Sequence, residues 1–363
     1  MDPRIERHAD IIVNHSTSVE PDDNVLVMAP PVAEDLVVAV YERLGEIGAS
    51  PSLSMRSGRA LRAYLRASDP DEFDLSEHDL AQMEETDVVI IIRGDENTNE
   101  RSDVPPETMS AFGKAHQPIG KERMGKRWVG TQYPASGNAQ EAEMSTPAYE
   151  DFVYDAIDKD WDAQREFQEN MVEILDPADE VRIVSGETTD IRMSVDGMVT
   201  ANDFGELNLP GGEVYTAPVP DSVEGEVLFD KPLMAQGREM TDVWLKFEEG
   251  EVVDHSAAKN EEVLTAVLNT DEGARRLGEL GIGMNRDIDE FTYNMLFDEK
   301  MGDTIHLAIG KAIAHTVPDG QPLNESAMHM DMIVDMSEDS YIEVDGEVVQ
   351  RDGTFRFEDG FEG

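Results

Sequence analysis

The sequence predicts a protein of α/β and α+β class, with an N-terminal doubly wound, mainly parallel sheet domain followed by a C-terminal α+β domain. Strand-like and helix-like segments alternate through residues 1 to about 135, and short strands with Gly-bearing turns replace that alternation after Pro177. At 363 residues the chain also exceeds one ordinary hydrophobic core. The expected division is therefore 1–177, an α/β domain with a helical connection, and 178–363, the domain that would carry the chemistry.

Asp23-Asn24 leads into Val25-Leu26-Val27-Met28-Ala29, an apolar run that fits a buried strand and is ended by Pro30-Pro31. Leu36, Val37, Val40, Tyr41, Leu44 and Ile47 then recur at spacings of three and four, which makes one helical face, and Gly48 supplies a stop. Residues 52–55 predict the next strand. Val88-Val89-Ile90-Ile91-Ile92 is the most β-branched run and predicts another, with a weaker one at 127–131. The first strand exits through prolines, which donate no amide hydrogen, with no glycine to admit a pyrophosphate; this argues against a dinucleotide cofactor. Residues 147–175 predict one or two helices, with Phe152, Ile157, Trp161, Phe167, Met171 and Ile174 as core contacts. Beyond them, strands are expected at 181–184, 191–195, 214–216 and 243–247. Helices are expected at 261–268 and 271–280, the second opening at an Asp271 cap.

The charge balance is extreme, with 29 Lys and Arg against 79 Asp and Glu, a formal net of −50. Such a surface repels phosphate backbones and anionic lipid, which excludes nucleic acid and membrane as expected partners. Dense salt would relieve its self-repulsion, since the screening length falls to roughly 3 Å at molar ionic strength. A halophilic source and a salt-rich cytoplasm are the expectation. Cysteine is absent, so disulfides, thiolate metal sites and thiol nucleophiles are excluded. The charged start and the lack of a run of 18 apolar residues also point to the cytoplasm.

With so many acids, a carboxylate at any position is near background, and the eight histidines carry more information. In Met328-His329-Met330-Asp331-Met332 a strand would turn the methionines one way and His329 with Asp331 the other, where the pair can share a metal ion or simply hold each other at a sheet surface. In Thr304-Ile305-His306-Leu307-Ala308-Ile309-Gly310, His306 lies between small residues opposite an apolar face. It is open to reading as a ligand or as a core histidine. Glu213 follows a glycine turn, as an ion ligand or an ordinary hairpin acid. Glu279 sits in a glycine-dense apolar stretch and needs a cation, either a metal or Arg275 or Arg276.

These segments, with Glu141-Ala142-Glu143-Met144-Ser145, Thr189-Asp190-Ile191, Asn208-Leu209-Pro210-Gly211-Gly212-Glu213-Val214-Tyr215-Thr216-Ala217-Pro218, Gly273-Ala274-Arg275-Arg276-Leu277-Gly278-Glu279 and Asp298-Glu299-Lys300, occur in an order that resembles the thermophilic aminopeptidase family, the aminopeptidase T-like metallopeptidases, through most of the chain. The resemblance implies that Glu213, Glu279, His306, His329 and Asp331 hold two divalent metal ions. Zn, Co or Mn suits imidazole and carboxylate ligands. It further implies a homodimer and hydrolysis of the first bond of peptides with a free N-terminus by metal-activated water. Glu213 or Glu279 would act as general base if not fully engaged by metal, with Glu299 as a third candidate. One departure is Ile313, where the family usually carries a tyrosine; His315 and Tyr341 are the substitutes considered. The departure keeps open a catalytically silent metal-binding homologue and, separately, a hydrolase of another amide.

Overall fold

The computed structural model describes residues 1–235 and 237–363. Their contacts gather into two compact units, Met1–Lys159 with Gly205–Gly211, and Asp160–Phe204 with Gly212–Gly363.

The first unit is built on a wholly parallel five-stranded sheet in the order Ser50–Met55, Asn24–Ala29, Val88–Arg93, Arg127–Gln132 and Asn208–Leu209. Val27, Val88, Val89, Ile90 and Val129 are fully buried, as expected for a sheet covered on both faces. The helix Glu34–Ile47 begins only after a 3₁₀ turn at Pro31–Ala33, and Gly48 ends it in the left-handed conformation (φ 91°) that a side chain would disfavour.

His8, on the helix Pro3–Asp10, is buried and its Nε2 lies 2.8 Å from Thr131 Oγ1. Burial drives its pKa down to about 3. In the unfolded chain the same ring takes a proton below about pH 6.5. Its contribution to stability is thus complete above that pH and falls by up to about 1.4 kcal/mol per pH unit on acidification towards pH 3. Urea unfolding at pH 7 and pH 5 is expected to show wild type losing about 2 kcal/mol more than His8→Gln. Equal losses would mean that His8 is not buried as a neutral ring.

The second unit stacks an eight-stranded sheet on a five-stranded antiparallel one. The larger sheet runs Glu251–Ser256, Val243–Glu248, Glu224–Phe229, Thr189–Ser194, Glu180–Ser185, Ser340–Val344, Glu347–Arg351 and Thr354–Phe355. The smaller runs His329–Asp335, Thr304–Gly310, Leu277–Gly283, Glu213–Thr216 and Ala201–Asp203. One apolar core joins them, with Ile183, Ile191, Val227 and Leu245 from the first and Val214, Leu280, Ile305, Leu307 and Met332 from the second.

Two expectations need correction. Residues 271–280 are not a helix: Gly273–Arg275 forms a single 3₁₀ turn, under Asp271 Oδ1 bonded to the Ala274 amide at 2.9 Å, and the chain then enters Leu277–Gly283 as a strand. Gly273 and Gly278 each cost a helix about 1 kcal/mol relative to alanine, whereas the strand is paired on both sides. The other correction concerns the boundary at 177. The helix Trp161–Leu175 groups with the second unit because the buried Gln168 amide donates to the carbonyl oxygens of Asp203 and Glu213 at 3.0 and 2.9 Å.

Candidate metal centre

Strand alternation turns Ile305, Leu307 and Ile309 into the core and His306 to the opposite face of the smaller sheet. The neighbouring strand puts Gly281 opposite His306, and a Cβ there would lie 2.0 Å from the His306 Cε1 and Nε2 atoms. The ring therefore occupies space that only glycine leaves. Gly281→Ala is expected to swing His306 aside and to weaken divalent-metal affinity roughly 10–100-fold, the range seen when a ligand's support is removed, as read by competition with a chelator. Unchanged affinity would remove His306 from the ligand set.

From two strands away Glu213 approaches His306 Nε2 at 3.3 Å, and Glu279, on the adjoining strand, approaches it at 3.6 Å through Oε1. Through Oε2, Glu279 also lies 3.3 Å from His329 Nε2, which is 3.2 Å from Asp331. The five sequence-expected residues thus come together as two triads sharing Glu279, Glu213–Glu279–His306 and Glu279–His329–Asp331, each with donor atoms within 4.8 Å of one another. Arg275 and Arg276 do not serve Glu279. Arg275 bonds the Val252 carbonyl, and Arg276 pairs with Glu251.

The donor set fits divalent cations. His329 Nδ1 lies 2.7 Å from the Lys311 carbonyl, so the proton belongs on that nitrogen and Nε2 faces the carboxylates as a lone pair unless the ring is charged. Glu213 Oε2 is buried without a hydrogen-bond donor. The electrostatics report the same deficit of cations. Burial pushes Glu213 up to about 8 in spite of Lys300. Burial also pulls His329 down, yet its bonds to Asp331 and Glu279 outweigh that and hold it at about 11. Glu279 falls to about 2, because bonds from His306 and His329 overcome its burial.

Sequence reasoning missed the support behind this face. Lys300 is fully buried, with Nζ 3.1 Å from Glu213 and 3.8 Å from Asp203, and it bonds the Glu299 carboxylate. Of the substitutes considered for the missing tyrosine, Tyr341 stands in the larger sheet beneath Arg351, on the strand Ser340–Val344. His315 Nε2 lies 2.9 Å from the hydroxyl of Tyr215, two residues beyond Glu213 on its strand. Burial, then the negative charges of Glu213, Asp203 and Glu279, push the Tyr215 phenol up.

Oxygen and imidazole donors in two triads with a common carboxylate are a set that could hold divalent cations. The chain belongs to the thermophilic metalloprotease (M29) family, whose model matches residues 1–356. Aminopeptidase 2 of Geobacillus stearothermophilus is 26% identical over 417 residues, covering 98% of each protein. Aminopeptidase T of Thermus aquaticus is 38% identical over 159 residues, which span 40% of this chain and 37% of that one. Among solved structures, wild-type AmpT from Thermus thermophilus superposes with a TM-score of 0.87 at 23% identity over 98% of this chain and 99% of its own, which shows a common fold. A 2,5-dihydroxypyridine dioxygenase from Pseudomonas putida KT2440 matches with a TM-score of 0.63 at 13% identity, over 99% of both chains. Because the fold accommodates a protein named for different chemistry, the reaction must be argued from the site.

Proposed function

We propose that this metalloprotease is an aminopeptidase, cleaving the first bond of peptides with a free N-terminus at two divalent ions held by Glu213, Glu279, His306, His329 and Asp331. The observation that carries the reading is the position of Glu279, one carboxylate within 3.6 Å of both imidazoles. When bound, the ions would polarise the scissile carbonyl and lower the pKa of water. The surplus of carboxylate charge at this face also suits the ammonium group of a peptide N-terminus. We assign general-base duty to Glu299 in preference to Glu213 and Glu279, because it stands outside the five donors and keeps 17% of its side chain exposed. The paired relatives' names support the chain-end specificity, and a homodimer belongs to the same reading.

The test is a pair of leucyl reporter peptides, one with a free amino group and one acetylated, supplied with Zn, Mn or Co in KCl. Metal-dependent cleavage of the free peptide alone is the expected result. Equal cleavage of both would make this a hydrolase of another amide, and metal binding without cleavage of either would make it a silent homologue.

A further inference from the structure

The register of the smaller sheet arranges the first triad around Gly281. That glycine has His306 opposite it on one neighbouring strand and Tyr215 on the other, so the three form one row across the sheet. Tyr215 follows Glu213 by two residues, and Gly281 follows Glu279 by two, so alternation turns these side chains to the face that carries His306. Glu213 stands opposite Gly283, a second position without a side chain, and reaches His306 Nε2 at 3.3 Å. The open space over Gly281 is thus bordered by Glu279 along its own strand, by Glu213 across Gly283, by His306 on one side and by Tyr215 on the other.

The phenol end of Tyr215 is fixed too. Its hydroxyl oxygen lies 2.9 Å from His315 Nε2, with the two rings edge to face at 5.7 Å. His315 is exposed on the single 3₁₀ turn Ala314–Thr316, and this turn is tied to the strand of Tyr215. The Thr316 carbonyl accepts from the Val199 amide at 2.9 Å, and the Val199 carbonyl accepts from the Thr216 hydroxyl at 3.1 Å. When His315 donates from Nε2, the phenol oxygen is its acceptor, and the phenol hydrogen is left for a further acceptor. The other side chains that border Gly281 are carboxylates and an imidazole. Lys300, the nearby cation, is held by Glu213 and Glu299.

We propose, resting on the aminopeptidase reading above, that the Tyr215 hydroxyl donates a hydrogen bond to the scissile carbonyl oxygen of the peptide and that His315 positions it. As water adds to the carbonyl carbon, the π electron pair moves onto that oxygen, and the phenol hydrogen bond strengthens without the proton leaving Tyr215. Tyr215 is then a catalytic residue of this chain and His315 a positioning residue.

The test is steady-state kinetics of the metal-loaded protein on the free leucyl peptide in KCl, with the bound metal of each variant measured alongside. Tyr215→Phe keeps the ring and removes only the donor. It is expected to lower kcat roughly a hundred- to a thousandfold, the usual loss of one oxyanion donor, with KM and metal content unchanged. His315→Leu is expected to lower kcat about tenfold, and His315→Gln, whose amide can still donate to the phenol oxygen, to recover most of that loss. Wild-type kcat in Tyr215→Phe, a raised KM at unchanged kcat, loss of metal from that variant, or equal kcat in His315→Leu and wild type would overturn the proposal while leaving the aminopeptidase reading in place. A wild type that cleaves neither the free nor the acetylated peptide would overturn that reading and this proposal with it.

Discussion

Replacing Lys300 by methionine is expected to destabilise the second unit by about 3–5 kcal/mol, the usual cost of removing one partner from a buried ion pair. Lys300 has no exposed surface, and its ammonium is the cation shared by Glu213, Glu299 and Asp203. Without it, Glu213, already pushed up to about 8 by burial, would stay protonated further into the alkaline range and compete less well as a metal ligand. Urea denaturation of the metal-free variant reads the first effect, and the pH at which metal is taken up reads the second. If uptake requires a higher pH than in wild type, Lys300 positions Glu213 as well as stabilising the unit. A variant with wild-type stability would show that the carboxylates find another cation.

Glu213→Ala and His329→Ala are expected to lower kcat on a free leucyl peptide by roughly a thousandfold, because several kcal/mol of transition-state stabilisation is lost when a metal ligand is removed. Both variants should remain folded. His329 is partly exposed at a strand end, and removing Glu213 relieves a crowd of buried negative charge. Arg182→Gln offers a control in the same unit, since its pair with Asp190 in the larger sheet lies outside the site and is half-exposed. It should keep wild-type turnover. Retained turnover in either ligand variant would exclude that residue from the metal centre.

Much of this was legible before any coordinates. The parallel sheet announces itself in the β-branched run that becomes Val88–Arg93, because a strand buried on both faces can be apolar at every position. His306, His329 and Asp331 could be read because strand alternation separates them from the core side chains between them. Residues 271–280 misled because the three-residue spacings of Ala274, Leu277 and Leu280 imitate a helical face, and only pairing with two neighbouring strands decides otherwise. Lys300 was hidden for a different reason. Asp298-Glu299-Lys300 was legible only as one segment of the family resemblance, and nothing local reveals that Glu213 and Asp203 close over the lysine. Gln168 was equally silent, because its partners are backbone atoms of segments distant in sequence.

The most direct test is the number of divalent ions retained per chain, measured by elemental analysis after dialysis against Zn, Mn or Co, for wild type, His306→Ala and His329→Ala. Two ions in wild type and the loss of at least one in each variant are the expected result. Two ions retained in both variants would mean that the imidazoles bind none, and the assignment of this cluster as a metal centre would be wrong.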